Sequence, residues 1–139
     1  MHRVMKGTLL VAAALSALPQ GADAQSWRTV TMSRQASGGD ELRVQVTYGA
    51  GTFKVRSAAQ GLLYRMQLRY DEEVFEPRAE FEAPRLRLGV EGVGRSVRIG
   101  KRHSGGEMDL ALGRGIPMDL DLEFGAVRAD LDLGGLSLT

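Results

Sequence analysis

The sequence predicts an all-β domain, and three features of the chain lead to that prediction. From Glu41 onward apolar residues alternate with polar ones, as in half-buried strands, whose successive side chains point to opposite faces. No run of ten residues has apolar positions at helical spacing, and the sixteen glycines after residue 24 would weaken any helix. Two segments, 44–55 and 120–131, also share one plan in which two strands meet at an aromatic-Gly-Ala sequence. We therefore expect stacked short strands that turn at glycine corners, in a β-solenoid-like or sandwich-like domain.

Alternating segments follow one another along the chain after residue 40. Apolar side chains at every second position predict strands at 42–48, 52–56, 64–70, 75–81, 86–90, 97–99, 108–112, 120–124 and 127–133. The third and fourth of these flank a polar turn at 71–73, so we expect them to form a hairpin. Residues 25–40 are expected to form a polar linker or a first strand. Structural corners are predicted at Gly49, Gly51, Gly125, Gly134 and Gly135.

The first 24 residues have the organisation of a secretory signal. Arg3 and Lys6 precede an apolar run from Thr8 to Leu18, and Ala-Asp-Ala at 22–24 offers a cleavage site of small residues. The apolar run is well short of the ~20 residues that span a bilayer. We therefore predict a signal peptide at 1–24 and no transmembrane span after cleavage. The protein is expected in the periplasm, on the cell surface or in the extracellular space.

The charge and the cysteine content of the chain exclude several classes of protein. Cleavage after Ala24 would leave 115 residues, enough for one domain, with sixteen basic and sixteen acidic side chains. A neutral chain lacks the surplus of lysine and arginine that a general nucleic-acid binder needs, so we expect no nucleic-acid partner. The sequence has no cysteine, which excludes disulfides, thiolate catalysis, cysteine-ligated zinc and a lipid-modified cysteine.

The stretch VTYGAGTFKV at 46–55 has the glycines and the lysine of a phosphate-binding loop but not the context of one. Dinucleotide and Walker-type loops lead directly into a helix whose N-terminus faces the phosphates. Here Gly49 and Gly51 are followed by Thr52 to Val55, which alternate as a strand. A protein-kinase loop does lie between strands, but Lys54 stands where that pattern has glycine, and no HRD or DFG sequence follows. We therefore predict no nucleotide and no other cofactor.

Acidic residues are concentrated near the C-terminus. Asp119, Asp121 and Glu123, which we call the acidic ladder, are predicted to share the outward face of one strand, and Asp130 and Asp132 a face of the next. Carboxylates are ligands of hard cations such as calcium. Residues two apart on a strand are separated by about 6.5 Å, too far for neighbouring carboxylates to share one ion unless the strand bends. We expect no metal here, and we expect the acidic residues to pair across strands with the basic residues that precede them in the chain.

Catalytic candidates are few. His103 is the only histidine after the predicted signal, and Ser104 follows it directly. Adjacent residues cannot readily aim a hydroxyl and an imidazole at one carbonyl carbon, and the loop has no nucleophile-elbow sequence. We expect no catalytic residue. The alternative is a hydrolase of cell-wall or polysaccharide material that uses Asp119 and Asp121. An aromatic-lined groove beside them would favour that alternative, whereas a flat charged sheet would favour a binding module.

Two long stretches carry a resemblance to a known family. LRVQVTYGAGTFKVRSAAQGLLYRMQLRYDEEVFEP and PMDLDLEFGAVRADLDLGGLSLT together resemble the N-terminal toast-rack domain of bacterial envelope proteins related to LiaF-type cell-wall stress regulators. The most specific parts are the YGAG corner, the LLYRM-to-RYDE strand and the LDLGGL step. The resemblance covers roughly residues 40–139 and involves no catalytic residue. It implies a non-enzymatic β-domain of stacked strands.

These observations lead to a functional expectation. We expect a non-enzymatic binding or structural module of the cell envelope, with a link to envelope stress sensing as a finer hypothesis. Its partner would be another envelope protein or a cell-wall component. Near Thr139 apolar residues still recur at spacings typical of a strand, at Leu133, Leu136 and Leu138. We therefore expect residues 41–139 to be a toast-rack-like domain that is incomplete at its C-terminus. The uncovered last strand is expected to self-associate through its edge.

Overall fold

The computed structural model describes residues 26–38, 41–93 and 105–139, and these form eight β-strands. In chain order the strands are β1 Trp27–Gln35, β2 Leu42–Ser57, β3 Leu62–Asp71, β4 Phe75–Glu82, β5 Arg85–Gly92, β6 Gly106–Leu112, β7 Pro117–Leu131 and β8 Ser137–Leu138. The prediction of an all-β fold is confirmed. The described ranges contain no helix, and therefore none that is long and apolar enough to cross a membrane.

Some of the predicted features lie outside the described residues. These are the signal peptide at 1–24, the strand at 97–99, and the loop residues His103 and Ser104. Within the segment 25–40, which was expected to be a linker or a first strand, the structure has β1.

All eight strands belong to one sheet, which is organised around the long strand β2. One edge of β2 pairs with β7, in parallel, from Leu42 opposite Met118 to Val55 opposite Leu131. The other edge pairs in parallel with two shorter strands in succession, first β5 and then β6. From β6 the sheet continues antiparallel through β3 to β1, and from β5 it continues to β4.

A corner at residues 49–51 marks the place where β2 changes neighbours. β2 pairs with β5 up to Thr47 and with β6 from Gly51 onward. Buried side chains occupy even-numbered positions up to Tyr48 and odd-numbered positions from Phe53. The corner therefore reverses the alternation and keeps apolar side chains directed at the core on both sides. The two strands predicted on either side of it are two halves of one strand, and β7 has the same construction.

The corner divides the sheet into two arms. The first arm contains β4, β5 and the first halves of β2 and β7. The second arm contains β1, β3, β6 and the second halves of β2 and β7. Buried side chains of both arms belong to one hydrophobic core. The far edges of the arms approach each other where the guanidinium carbon of Arg34 on β1 lies 4.4 Å from the ring centre of Phe81 on β4. The sheet is therefore nearly closed and barrel-like.

The core is filled by the inward positions of the central strands. Val46, Leu68, Leu88 and Leu110 come from four different strands, and each is almost completely buried. Burying one such side chain contributes about 1.5 to 3 kcal/mol. The period-two alternation seen in the sequence thus corresponds to one apolar face per arm, both turned toward the same core.

The predicted hairpin between 64–70 and 75–81 is wrong. β3 already has β1 on one edge and β6 on the other, so no edge is free for β4, which pairs with β5 instead. The polar turn exists, but it carries the chain from the second arm to the first. Asp71, whose side chain is buried, fixes this turn by accepting a hydrogen bond from the Glu73 backbone N–H at 3.1 Å.

Candidate interaction surfaces

The acidic ladder lies on the outward face of the first half of β7. Asp119, Asp121 and Glu123 are all exposed. Asp119 lies opposite Arg43 of β2, and Gln45 Nε2 donates a hydrogen bond to Glu123 Oε1 at 3.3 Å. In the described part of the chain, no group of three or more histidine, cysteine or carboxylate side chains could hold a metal ion. The ladder is thus one side of a polar strip that runs across the sheet.

A row of charged residues crosses the outer face of the first arm. Arg43 lies between Asp119 on β7 and Arg85 on β5, and Arg85 lies opposite Glu82 on β4. The row therefore reads acid, arginine, arginine, acid. The shallow grooves between these side chains are lined by arginine, glutamine, carboxylate and aliphatic residues, with no aromatic ring. This is a charged outer sheet surface without an aromatic-lined groove.

The acidic ladder was expected to pair with the basic residues that precede it in the chain, but the arginines of β5 pair with another strand. β2 lies between β5 and β7, so Arg85 and Arg87 have no direct contact with the ladder along the strand register. They face Glu82 and Glu80 of β4 instead. The sequence could not show this, because adjacency of two stretches in the chain does not determine which strands are neighbours.

Opposite charges also alternate across the outer face of the second arm. Lys54 of β2 lies between Asp109 of β6 and Asp130 of β7. Arg56 approaches Asp109 to 3.6 Å, with both side chains substantially exposed. Exposed pairs of this kind add little stability because water screens them. They do keep the outer surface hydrated and close to neutral.

The corner encloses a tyrosine hydroxyl that has no hydrogen-bond partner among the described residues. Tyr48 is 2% exposed, and its hydroxyl oxygen is buried and unpaired. Its ring lies 6.3 Å from that of Phe53, centre to centre. Burial, together with the negative charge of Glu107, raises the pKa of Tyr48 above its usual value. A neutral, sealed phenol suits packing of the corner and does not suit proton transfer to a substrate.

We expect Tyr48→Phe to leave the free energy of unfolding unchanged or to raise it by up to about 2 kcal/mol, because a buried polar group without a partner is destabilising. The pKa of Tyr48 is higher in the folded protein than in the unfolded chain. Above about pH 10 the unfolded chain loses the tyrosine proton more readily than the folded protein does, so the native protein loses stability as the pH rises further. Urea denaturation at about pH 8 and about pH 11 should therefore show a smaller loss of stability in the variant. An equal or larger loss in the variant would contradict this account.

The predicted corner glycines differ in how strongly the structure constrains them. Gly51 has a φ of +123°, and a Cβ there would overlap the carbonyl oxygen of Gly106. A Cβ at Gly125 would overlap the carbonyl oxygen of Gly49 on the neighbouring strand. Gly49 itself has an ordinary φ and open space around the Cβ position. Gly135 has a φ of +82° in the turn that follows β7. Of the two glycines in the YGAG corner, only Gly51 occupies a position that excludes a side chain.

The outer edge of β7 is open over most of its length in the described chain. β8 pairs with its first two residues, Pro117 and Met118. The Thr139 backbone N–H donates to the Met118 carbonyl oxygen at 3.0 Å. From residue 119 to 131 no described strand pairs with this edge. We call residues 119–131 the open edge.

Apolar side chains are exposed at the far end of the open edge. Leu131 is 45% exposed and Leu133 is 36% exposed. The turn that follows is held by a hydrogen bond at 3.1 Å from the Gly134 backbone N–H to Asp132 Oδ1. Sheets normally cover or charge such an edge, because unpaired backbone groups beside apolar side chains favour association with another strand.

Parallel strands stacked at matching corners, with charged outer faces, define a domain of stacked β-strands. The chain belongs to the family described as the N-terminal domain of toast_rack, DUF2154, whose family model matches residues 21–139. The resemblance drawn from the sequence is thereby confirmed. No curated protein matches the sequence.

A solved structure supports the fold. The chain is similar to a candidate cell adhesion protein from Clostridium sporogenes, with a TM-score of 0.65 and 17% sequence identity. The match covers 81% of this chain and 54% of the other, so this chain spans about half the length of that protein. At this level of identity the similarity concerns the fold alone.

Proposed function

We propose that the protein is a non-enzymatic binding or structural module of the bacterial cell envelope, exported and presenting a rigid β surface to another envelope component. Membership of the toast-rack family supports the envelope assignment. The signal sequence predicted at 1–24 supports export. The similarity to a candidate cell adhesion protein is consistent with a role at the cell surface. A link to envelope stress sensing is the finer form of the proposal and rests on the resemblance to LiaF-type regulators.

One observation favours the module over the hydrolase. Asp119 and Asp121 stand on the outward face of the sheet, where Arg43 lies opposite Asp119, and no aromatic ring is among the residues that line the groove there. A glycoside hydrolase needs two carboxyl groups on opposite sides of a bond that is held in a groove. Two exposed carboxylates on one strand face cannot enclose a sugar in this way.

A comparison of binding with hydrolysis tests this proposal. The protein, expressed with its leader and purified after export, should sediment with isolated cell envelopes of the host and release no soluble saccharide or muropeptide from them. The Asp119→Asn/Asp121→Asn variant serves as the control for catalysis. Release of soluble fragments by the native protein, abolished in this variant, would establish the hydrolase instead. Failure to sediment with any envelope fraction would contradict a binding role.

A further inference from the structure

We propose that the groove between β2 and β5, on the outer face of the first arm, binds a phosphate group that carries an ammonium group, as in phosphoethanolamine. This inference rests on the proposed function, for which it names a binding site and the chemistry of the ligand. Arg43, Arg85 and Arg87, which we call the arginine cluster, bind the phosphate, and carboxylates on both sides of them bind the ammonium group.

The arginine cluster lies in the interior of the sheet. Over this stretch β2 pairs with β7 and β5 on its two edges, and β5 pairs with β2 and β4. The groove has a volume of about 280 Å³, and the buried residues Val44 and Leu86 are among those that line it. Its formation therefore does not depend on the free edge of any strand.

The arginine cluster places like charges side by side. Arg43 lies directly opposite Arg85 in the parallel register, and Arg87 follows two residues further along the exposed face of β5. Neighbouring strands are about 4.8 Å apart, and residues two apart on one strand are separated by about 6.5 Å, so the three side chains can converge on one anion. Like charges directly opposite each other destabilise a sheet. A bound anion would offset that repulsion.

The outer face of the second arm has the opposite arrangement. Lys54 lies between Asp109 and Asp130, so that charges of opposite sign alternate from strand to strand. Such alternation is favourable without any ligand. The first arm departs from it where Arg43 meets Arg85. The departure points to a ligand that supplies the missing negative charge.

In the part of the chain that the structure describes, the arginine cluster forms no ion pair. The ion pairs found there involve Arg28, Arg56 and Arg78. The side chains of the cluster are exposed, so a ligand can reach them from solvent. Guanidinium groups are suited to phosphate, because their planar N–H donors can bind two oxygen atoms at once.

Carboxylates flank the arginine cluster on both sides and disfavour a long polyanion. Asp119 and Asp121 lie on the β7 side, and Glu80 and Glu82 lie on the β4 side. They would repel the further phosphates of a polyanion, whereas an isolated phosphate would make no use of them. An ammonium group joined to the phosphate by two carbon atoms can reach the neighbouring strand, about 4.8 Å away. The order of charges across the sheet therefore matches phosphoethanolamine.

Titration of the exported protein with three soluble compounds, followed by backbone amide NMR, tests this proposal. Glycerophosphoethanolamine has the phosphate and the ammonium group. Glycerophosphocholine has a methylated nitrogen that donates no hydrogen bond, and dimethyl phosphate has no nitrogen. We expect glycerophosphoethanolamine to bind at least about threefold more tightly than either of the others, with the largest shifts at residues 43–45 and 85–87.

A pair of matched variants locates the phosphate. Arg85→Gln/Arg87→Gln should weaken the binding of glycerophosphoethanolamine at least about tenfold, because two of the three guanidinium groups are lost. Arg65→Gln/Arg128→Gln removes the same charge from exposed positions of the second arm and should leave the affinity unchanged. Circular dichroism checks that each variant is folded. If the cluster variant does not fold, the order of the three compounds on the native protein decides the question.

A further variant locates the ammonium group. Glu80→Gln/Glu82→Gln combined with Asp119→Asn/Asp121→Asn removes the carboxylates on both sides of the cluster. This variant should bind dimethyl phosphate more tightly than the native protein does, because the repulsion is gone. It should also lose the preference for glycerophosphoethanolamine. A preference that persists would overturn the assignment of the ammonium group to these carboxylates.

Lipid vesicles identify the source of the ligand. Sedimentation of the protein with vesicles of phosphatidylcholine and phosphatidylethanolamine, and not with phosphatidylcholine alone, would support the proposal with a lipid headgroup as the ligand. Binding of glycerophosphoethanolamine without sedimentation on either vesicle would support it with phosphoethanolamine attached to other envelope material.

The contrary outcomes are distinct. Equal affinity for the three compounds, no binding of any, or shifts confined to the second arm would overturn the proposal. NMR contacts between the Arg85 guanidinium and a carboxylate-bearing residue of another segment of the same chain would also overturn it, because the groove would then be filled from within. If no compound binds while the protein still sediments with cell envelopes, this inference fails and the proposed function stands. Failure of both experiments would remove both.

Discussion

Replacing Gly51 by alanine should lower the free energy of unfolding by about 2 to 5 kcal/mol. The residue has a φ of +123°, where an L side chain is strained by about 1 to 3 kcal/mol. The new Cβ would also overlap the Gly106 carbonyl oxygen. Relief would require β2 and β6 to move apart at the place where the two arms meet, and such overpacking costs a further ~1 to 3 kcal/mol. Urea denaturation followed by circular dichroism measures the loss.

Gly49→Ala is the matched control, two residues away in the same corner. Gly49 has an ordinary φ, and no atom lies within 4 Å of the Cβ position. Its replacement should change the stability by less than about 0.5 kcal/mol or increase it slightly, because alanine restricts the unfolded chain. Equal losses in the two variants, or no loss in either, would show that the corner is not organised around Gly51.

Replacing Phe53 by alanine should cost about 3 to 5 kcal/mol, the range for removing a buried aromatic ring. Phe53 is fully buried directly after the corner. Its ring lies 4.8 Å from that of Phe124 on β7 and 6.3 Å from that of Tyr48, centre to centre. The cavity would therefore open between β2 and β7 and beneath the corner at once. The same denaturation measurement applies.

Phe53→Leu tests whether packing volume is the cause. Leucine keeps an apolar side chain and leaves a smaller cavity, so its loss should be less than half that of alanine. If the two variants were equally destabilised, a specific contact of the aromatic ring would have to account for the loss. A loss below about 1 kcal/mol for alanine would mean that the core readily collapses around this site.

The fold class could be predicted because strand alternation is a local property of the sequence. Leu42, Val44 and Val46 alternate with polar residues, and the structure buries all three. The reversal of alternation at the corner is visible as well, in the step from Tyr48 to Phe53. The recurrence of this plan in β7 corresponds to the parallel register between the two strands. Such signals depend only on which face of a strand meets the core.

Strand neighbours could not be predicted, because alternation shows which way a side chain points but not what lies beside it. The hairpin prediction failed for this reason. The parallel pairing of β2 with β5 and β6 joins segments that are distant in the chain. The contact of Arg34 with Phe81 joins residues 47 positions apart and has no local signature. An arginine and a phenylalanine at those positions are ordinary members of any strand.

At the candidate site, too, the direction of the side chains could be predicted but their neighbours could not. The outward direction of Asp119, Asp121 and Glu123 followed from alternation, and the structure places all three on the exposed face. The position of Arg43 beside Asp119 could not be predicted, because Arg43 comes from a strand more than seventy residues earlier. Likewise the sequence singled out both glycines of the YGAG corner, and only backbone geometry separates Gly51 from Gly49.

Amide hydrogen exchange of β7, resolved by NMR, tests the account most directly. β2 has partners on both edges, whereas β7 lacks a described partner on one edge from residue 119 to 131. In the free protein, alternate amides of this segment should exchange much faster than those of β2. Protection of the whole segment equal to that of β2 would contradict the strand pairing described here.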